Sequence, residues 1–251
     1  MKQDQKGYIV VIEGTDGCGK QTQAKMLKDK LSQITGREVF EISFPNYDSQ
    51  SSGPVKMYLN GDLAQNASDI DAYQASSMFA VDRLCTFYSS IKQHLDNGEI
   101  IILDRYTPSN ALHQAGKIDD KGERDRFLSW LFDFEYNILH LPEPDDVLFL
   151  DVPPQVSQKL RKERGILKSG ESNDIHEKDE GHLYKAYLSG KYVSEKYNWS
   201  QISCVDNNGD ILSREEIHKR IMSRVLDNKK LQQIILNVAN SKEQGFSAID
   251  E

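Results

Sequence analysis

The chain has 251 residues, enough to bury most of its unfolded surface without disulfide or metal staples. Its 31 Lys plus Arg against 39 Asp plus Glu give a net charge of −8, which argues against a nucleic-acid strand or an anionic membrane as partner, because both are held by basic patches. With 38% hydrophobic residues it is not a disordered chain, and its scattered cysteines (Cys18, Cys85, Cys204) form neither a disulfide framework nor a zinc pattern.

The first apolar run, Tyr8 to Ile12, is far too short for a signal core or a membrane span. A cytoplasmic protein in a reducing compartment is expected. The run is β-branched or aromatic and does not alternate, the pattern of a strand buried on both faces of a parallel sheet. It leads into Gly14-Thr15-Asp16-Gly17-Cys18-Gly19-Lys20, a G-x-x-x-x-G-K sequence that opens a helical stretch to about Ile34. Glycines permit positive φ and close backbone approach, so successive N–H groups can cradle a phosphate at a helix N-terminus. Lys20 can reach the β- and γ-phosphates as a mobile charge. Two positions depart from the common pattern. Gln21 stands where a Ser or Thr hydroxyl usually meets magnesium, and Thr22 follows one residue late. The metal is therefore expected to rest mainly on carboxylates elsewhere. Asp16 puts a negative charge beside phosphates, which suits either a metal or ligand hydroxyl, or a cap that fixes the loop backbone. Cys18 reads as a small filler.

A weaker strand candidate covers Glu38 to Ser43, and a long helix is expected from about Asp69 to Leu95, closed by Asn97-Gly98. Phe79 and Arg83 lie four apart on it, hence on one face. A ring beside a guanidinium suits a planar heteroaromatic ligand, although core and solvent are the ordinary homes of such residues. The run Ile100 to Leu103 predicts a second central strand, ending at Asp104-Arg105-Tyr106. Ligands of open α/β sheets bind at the carboxyl ends of strands, and Arg105 there can take a phosphate bidentately. A helix over Glu123 to Leu139, a strand over Val147 to Leu150 and a helix over Val156 to Arg164 follow. Arg161, Arg164 and Lys168 run into the polar stretch 165–178, which reads either as a solvated loop or as a lid over a transferring phosphoryl group. A helix over Gly181 to Tyr197, a weak strand over Gln201 to Val205, a helix over Ser213 to Val238 and a frayed tail over 240–251 complete the chain. Strands alternating with helices give an α/β domain.

Taken in order, these motifs resemble the thymidylate kinase family over about residues 7–225. Val11 to Gln23 resembles its phosphate loop, Phe44-Pro45-Asn46-Tyr47 its second-strand exit, Phe79 to Arg83 its base-stacking helix, and Asp104-Arg105-Tyr106 with Ser109-Asn110-Ala111 its DR(Y/F)…S motif. The resemblance implies the P-loop NTPase fold, with a five-stranded parallel sheet flanked by helices, in one domain with a lid at about 161–178. It implies transfer of a phosphoryl group from ATP to dTMP with Mg²⁺, in dTTP synthesis. ATP would be bound by Gly14 through Thr22. On dTMP, Phe79 would stack on the base, Arg83 would bond a carbonyl oxygen and Asn110 would meet the edge near N3. Arg105, helped by Tyr47, would hold the phosphate. Asp16 would take the 3′-hydroxyl. Phe44, Pro45 and Ser109 complete that set, and His113 lies where some relatives place a tyrosine that crowds the 2′ position. Some members carry a basic residue in the phosphate loop. Here that position is Gly17, so the chain resembles the subtype whose catalytic arginine sits in the lid, at Arg161 or Arg164, acting with Lys20 and Arg105. Asp174 and Glu177 resemble acids that approach the metal, which gives a magnesium set of Asp16, Thr22, Asp174 and Glu177. A homodimer through the long helix over Asp69 to Leu95 is implied as well.

Overall fold

A computed structural model describes residues 6–64, 69–163 and 180–247. Its centre is a parallel sheet of order β2-β3-β1-β4-β5, with β1 at Tyr8–Glu13, β2 at Val39–Ser43, β3 at Ile100–Asp104, β4 at Asp146–Asp151 and β5 at Ser200–Ser203. β1 and β3 are buried throughout, as their unbroken apolar runs demand. The pleat divides each strand between two cores. Tyr8, Val10 and Ile12 face Ala24, Leu27 and Leu31 of helix α1 (Lys20–Thr35). Ile217, Ile221 and Val225 of α9 (Arg214–Leu226) join that layer. Ile9 and Val11 face Phe87, Ile91, Leu95 and Tyr106 on the other side.

Because all five strands run one way, their carboxyl ends share an edge. Ile12 and Ser43 both pair in register with Asp104, which brings the starts of three connections side by side. The connections carry α2 (Gly53–Asn60), α3 (Ala72–Thr86), α4 (Lys92–Asp96), α5 (Thr107–His113), α6 (Lys121–Phe132), α7 (Pro154–Glu163), α8 (Glu180–Lys196) and α10 (Lys229–Ser247). α3 starts at a capping box between Asp71 and Gln74 and passes through a π-turn, Phe87–Ile91, into α4. Gly98, at φ 77°, follows its last turn. α8 approaches β4 closely at Gly190, where a Cβ would fall 2.6 Å from the Phe149 ring.

Three details differ from the sequence-based expectation. The short helices α2 and α5 lie where none was expected. The stretch expected as one helix over Ser213 to Val238 is two, because the Asn228 side chain accepts from Lys230 N–H at 2.9 Å and caps a new helix. That second helix runs to Ser247, well into the expected frayed tail. Among the described residues, no helix is long and apolar enough to cross a membrane.

Candidate active site

The loop between β1 and α1 takes its shape from glycine. Gly14, Gly17 and Gly19 sit at φ 149°, 82° and 97°, a region that costs other residues. Beside Gly19 a Cβ would meet nothing within 4 Å, so this rim of the loop is open. Lys20 is 7% exposed, and its Nζ donates to Gly14 O and Thr15 O at 3.0 Å each. Thr15 Oγ1 is buried with no partner. Gln21 is exposed and Thr22 half-buried. Cys18 is buried, and burial pushes its thiol pKa up against the pull of Lys20, which fits a filler rather than a nucleophile.

Arg161, on α7, lies across this loop. A Cβ on Gly17 would come 2.6 Å from Arg161 Cγ and 3.2 Å from Ser157 O. The guanidinium is 5% exposed, and its Nε and Nη1 are buried without partners. A buried cation with idle donors beside a phosphate-shaped loop is arranged for an anion. Arg164, Lys168, Asp174 and Glu177 lie outside the described residues.

Next to the loop is a cavity of about 220 Å³. All ten residues expected to meet the nucleoside monophosphate line it: Asp16, Phe44, Pro45, Tyr47, Phe79, Arg83, Arg105, Ser109, Asn110 and His113. They arrive from three connections, those after β1, β2 and β3, so the convergence is a property of the fold. Arg105 adopts φ 70°, a left-handed conformation rare for a non-glycine residue. The turn is held from beneath by Glu13, whose fully buried carboxylate accepts from Tyr106 N–H at 3.0 Å and from the Ser109 hydroxyl at 2.8 and 2.9 Å. Ser109 therefore spends its proton on Glu13. Burial pushes the Glu13 pKa up, while Arg105, Ser109, Lys20 and the Tyr106 amide pull it down. Arg105 itself forms an ion pair through Nη2 with Asp16, and Asp16 lies 4.0 Å from Lys20 Nζ.

Arg83 is only 2% exposed. Its Nε and Nη2 are taken bidentately by Glu135 at 2.6 and 2.5 Å, leaving the Nη1 edge toward the cavity, 3.5 Å from Tyr106 O. Glu135 is fully buried and also accepts from the Thr107 hydroxyl at 2.7 Å. Phe79 is half-buried, edge-on to Tyr58, with ring centroids 6.1 Å apart. The expectation of Phe79 and Arg83 on one helix face thus has a fixed form, with the guanidinium locked and the ring beside it.

Four side chains that line or buttress the cavity escaped the sequence reading. Glu135 sits in a π-turn that continues α6, Asp133–Ile138. A charge on the face of Phe127, Leu128 and Leu131 was the available signal. Asp82 accepts from Asn46 N–H at 2.8 Å and from the Ser51 hydroxyl at 2.7 Å, fixing the segment that carries Tyr47. Gln114 lines the cavity with a buried, unpartnered Oε1, and His182 touches His113 from α8. Nothing in their spacing marked these two.

The thymidylate kinase family model matches residues 12–206, which include every described site residue. The chain belongs to the thymidylate kinase family. A thymidylate kinase of Mycobacterium tuberculosis is 29% identical over 173 residues, covering 68% of this chain and 78% of that protein. A probable thymidylate kinase of Pyrococcus horikoshii is 31% identical over 162 residues, covering 64% and 73%. The solved thymidylate kinase of Candida albicans has a TM-score of 0.63 at 21% identity, covering 91% of this chain and 95% of that one, a likeness of fold. The parallel sheet with its flanking helices is thus the P-loop NTPase fold. The activity is phosphorylation of dTMP to dTDP with ATP, in dTTP synthesis.

Removing one partner of a buried ion pair strands the other charge. Glu135→Ala is therefore expected to lower the free energy of unfolding by about 3–5 kcal/mol, read as an earlier urea midpoint. An unchanged midpoint would show that Arg83 does not depend on Glu135.

Proposed function

We propose that the cavity beside the phosphate loop is the dTMP site, that Gly14 to Thr22 binds ATP, and that the two substrates meet across Asp16. One observation carries this reading. Asp16 belongs to the loop, lines the cavity and pairs with Arg105, so donor and acceptor sites share a wall. The cavity chemistry suits the substrate part by part. Phe79 offers a face for the thymine ring, with the Nη1 edge of Arg83 for a carbonyl oxygen and the Asn110 amide for the edge near N3. Arg105, with Tyr47, takes the phosphate. Asp16 takes the 3′-hydroxyl, and His113 stands against the sugar.

No protein nucleophile is involved. An oxygen of the acceptor phosphate attacks the γ-phosphorus of ATP in line, the bond to the β–γ bridging oxygen breaks and ADP leaves, while the protein positions both substrates and neutralises charge. Lys20 leaves the Gly14 and Thr15 carbonyls to meet the β- and γ-phosphates. Arg161, whose donors have no protein partner, takes the transferring group, with Arg164 and the lid segment 161–178 closing over it. The described residues also suit Mg²⁺, which keeps several waters and needs only one or two carboxylates. Asp104 Oδ1 is buried and unpartnered at the end of β3, beside Ile12 of β1. We assign it a place in the metal's outer shell, with Asp16, Thr22, Asp174 and Glu177. Bound there, Mg²⁺ would supply positive charge against the negative charge that develops on the phosphates.

The reading includes a homodimer in the cytoplasm. Val81, Cys85 and Tyr88 form an exposed stripe along α3 and its π-turn, with Val81 47% and Tyr88 62% exposed. Such a stripe on a long helix suits a self-complementary contact. A reducing compartment suits the three free cysteines.

A coupled assay with ATP and dTMP, dUMP, dGMP or AMP tests the substrate assignment. The highest kcat/KM is expected with dTMP, and Arg161→Met is expected to lower kcat by about 10³-fold with little change in KM for dTMP. Turnover by AMP but not dTMP overturns the assignment. Asp104→Asn is expected to raise the Mg²⁺ concentration for half-maximal turnover by roughly tenfold, as loss of an outer-shell group does. An unshifted magnesium titration removes Asp104 from the metal site. Tyr88→Glu is expected to halve the mass seen in sedimentation, and a dimer that survives it refutes the α3 contact.

A further inference from the structure

His113 and His182 are 69 positions apart in the chain and meet inside the protein, at 8% and 6% exposure. His113 Nε2 lies 3.3 Å from Arg105 Nη1, and His113 Nδ1 lies 3.3 Å from His182 Nε2. The two rings are 20° from parallel, with centroids 5.5 Å apart. With only 3.3 Å between the nitrogens, that separation puts both nitrogens on the line joining the rings. The contact is an in-plane hydrogen bond and not a face-to-face stack.

The charged end of this chain fixes its direction. A guanidinium has donors only and does not deprotonate. His113 Nε2 therefore accepts, and a neutral imidazole that accepts at Nε2 carries its proton on Nδ1. That Nδ1–H donates to His182 Nε2. Among the described residues, the charged and titratable groups that act on His113 include Asp16 and Lys20 from the phosphate loop and α1, Arg105 from the turn after β3, and His182 from α8. Burial first and the Arg105 charge second hold the His113 pKa well below the ordinary imidazole value. Asp16 opposes them, and His182 and Lys20 add to the depression. His113 is thus neutral at physiological pH, as an acceptor to arginine must be.

We propose that His182 is a positioning residue for the acceptor phosphate: by accepting from His113 Nδ1 it keeps the His113 Nε2 lone pair turned to Arg105, and so sets how the guanidinium meets dTMP. The proposal rests on Arg105 holding that phosphate. Asp16 fixes one side of the guanidinium through Nη2 and His113 the other through Nη1. In the opposite tautomer, Nε2–H would face a guanidinium N–H, two donors with no acceptor between them. His182 disfavours that state from α8 by offering its Nε2 lone pair to the Nδ1–H, although it does not line the cavity.

The test compares wild type with His182→Phe, which keeps a planar ring and loses the acceptor, and His182→Gln, which keeps an acceptor oxygen. Loss of a hydrogen bond of ordinary strength predicts a rise in KM for dTMP of about 3- to 10-fold in His182→Phe. KM for ATP and kcat stay within about twofold, and His182→Gln stays near wild type. No rise, or an equal rise in both KM values, overturns the proposal. Arg105→Met separates it from the reading beneath it. If that variant leaves KM for dTMP unchanged, the assignment of Arg105 fails. If it raises KM while His182→Phe does not, only the role of His182 fails. A long-range ¹H–¹⁵N spectrum of histidine-labelled wild type, assigned with His182→Gln, reads the tautomer without depending on the stability of His182→Phe. A proton on His113 Nδ1 is expected, and a proton on Nε2 alone overturns the proposal.

Discussion

The two halves of the site are joined by one carboxylate with no access to water. Glu13 closes β1 immediately before the phosphate loop, and its oxygens receive the Tyr106 amide and the Ser109 hydroxyl from the connection after β3. Those bonds hold Arg105 in a left-handed conformation, which costs on the order of 1 kcal/mol and persists only where the surroundings over-determine it. The sheet makes this possible. Parallel pairing of β1 with β3 sets Ile12 beside Asp104, so the residues after each strand leave the sheet side by side. The position of Arg105 relative to the phosphate loop is therefore fixed by strand register, and Glu13 makes the link rigid.

The site's cations occupy different states of satisfaction. Arg83 is fully engaged by Glu135, and a locked guanidinium can present a donor edge at little further entropic cost. Arg105 is held from two sides, by Asp16 and His113. Lys20 rests on loop carbonyls that a phosphate can replace. Arg161 alone of the four carries buried, unpartnered donors. On the proposed placement of the two substrates, satisfaction falls along the path from the base toward the transferring group, so that rigid groups would recognise and unsatisfied ones would respond to charge as it develops.

Local chemistry was readable from the sequence and distant chemistry was not. Uninterrupted apolar runs marked β1, β3 and β4, because burial on both faces leaves no alternation. The phosphate loop was legible because its glycines and Lys20 act within a few residues of one another. All ten proposed dTMP-site residues came from motifs whose members are close in sequence. Glu135, Asp82 and His182 act across 52, 36 and 69 positions, and such pairings exist only once the chain is folded. The short helices α2 and α5 were missed because their stability comes from packing rather than from a long periodic face. The break at Asn228 depends on one side chain capping a helix, which residue periodicity does not reveal.

Gly17 and Arg161 occupy one volume between them. A Cβ at Gly17 would clash with the arginine's own chain at 2.6 Å and meet a left-handed φ as well. The loop therefore cannot gain a basic side chain at this position while Arg161 keeps its berth. Two solutions to the same electrostatic problem, a cation rooted in the loop or one reaching over it, exclude each other by steric occupancy. A longer side chain at Gly17 would have to displace Arg161, so gaining a cation in the loop and losing the one that reaches over it are coupled at a single point of the fold.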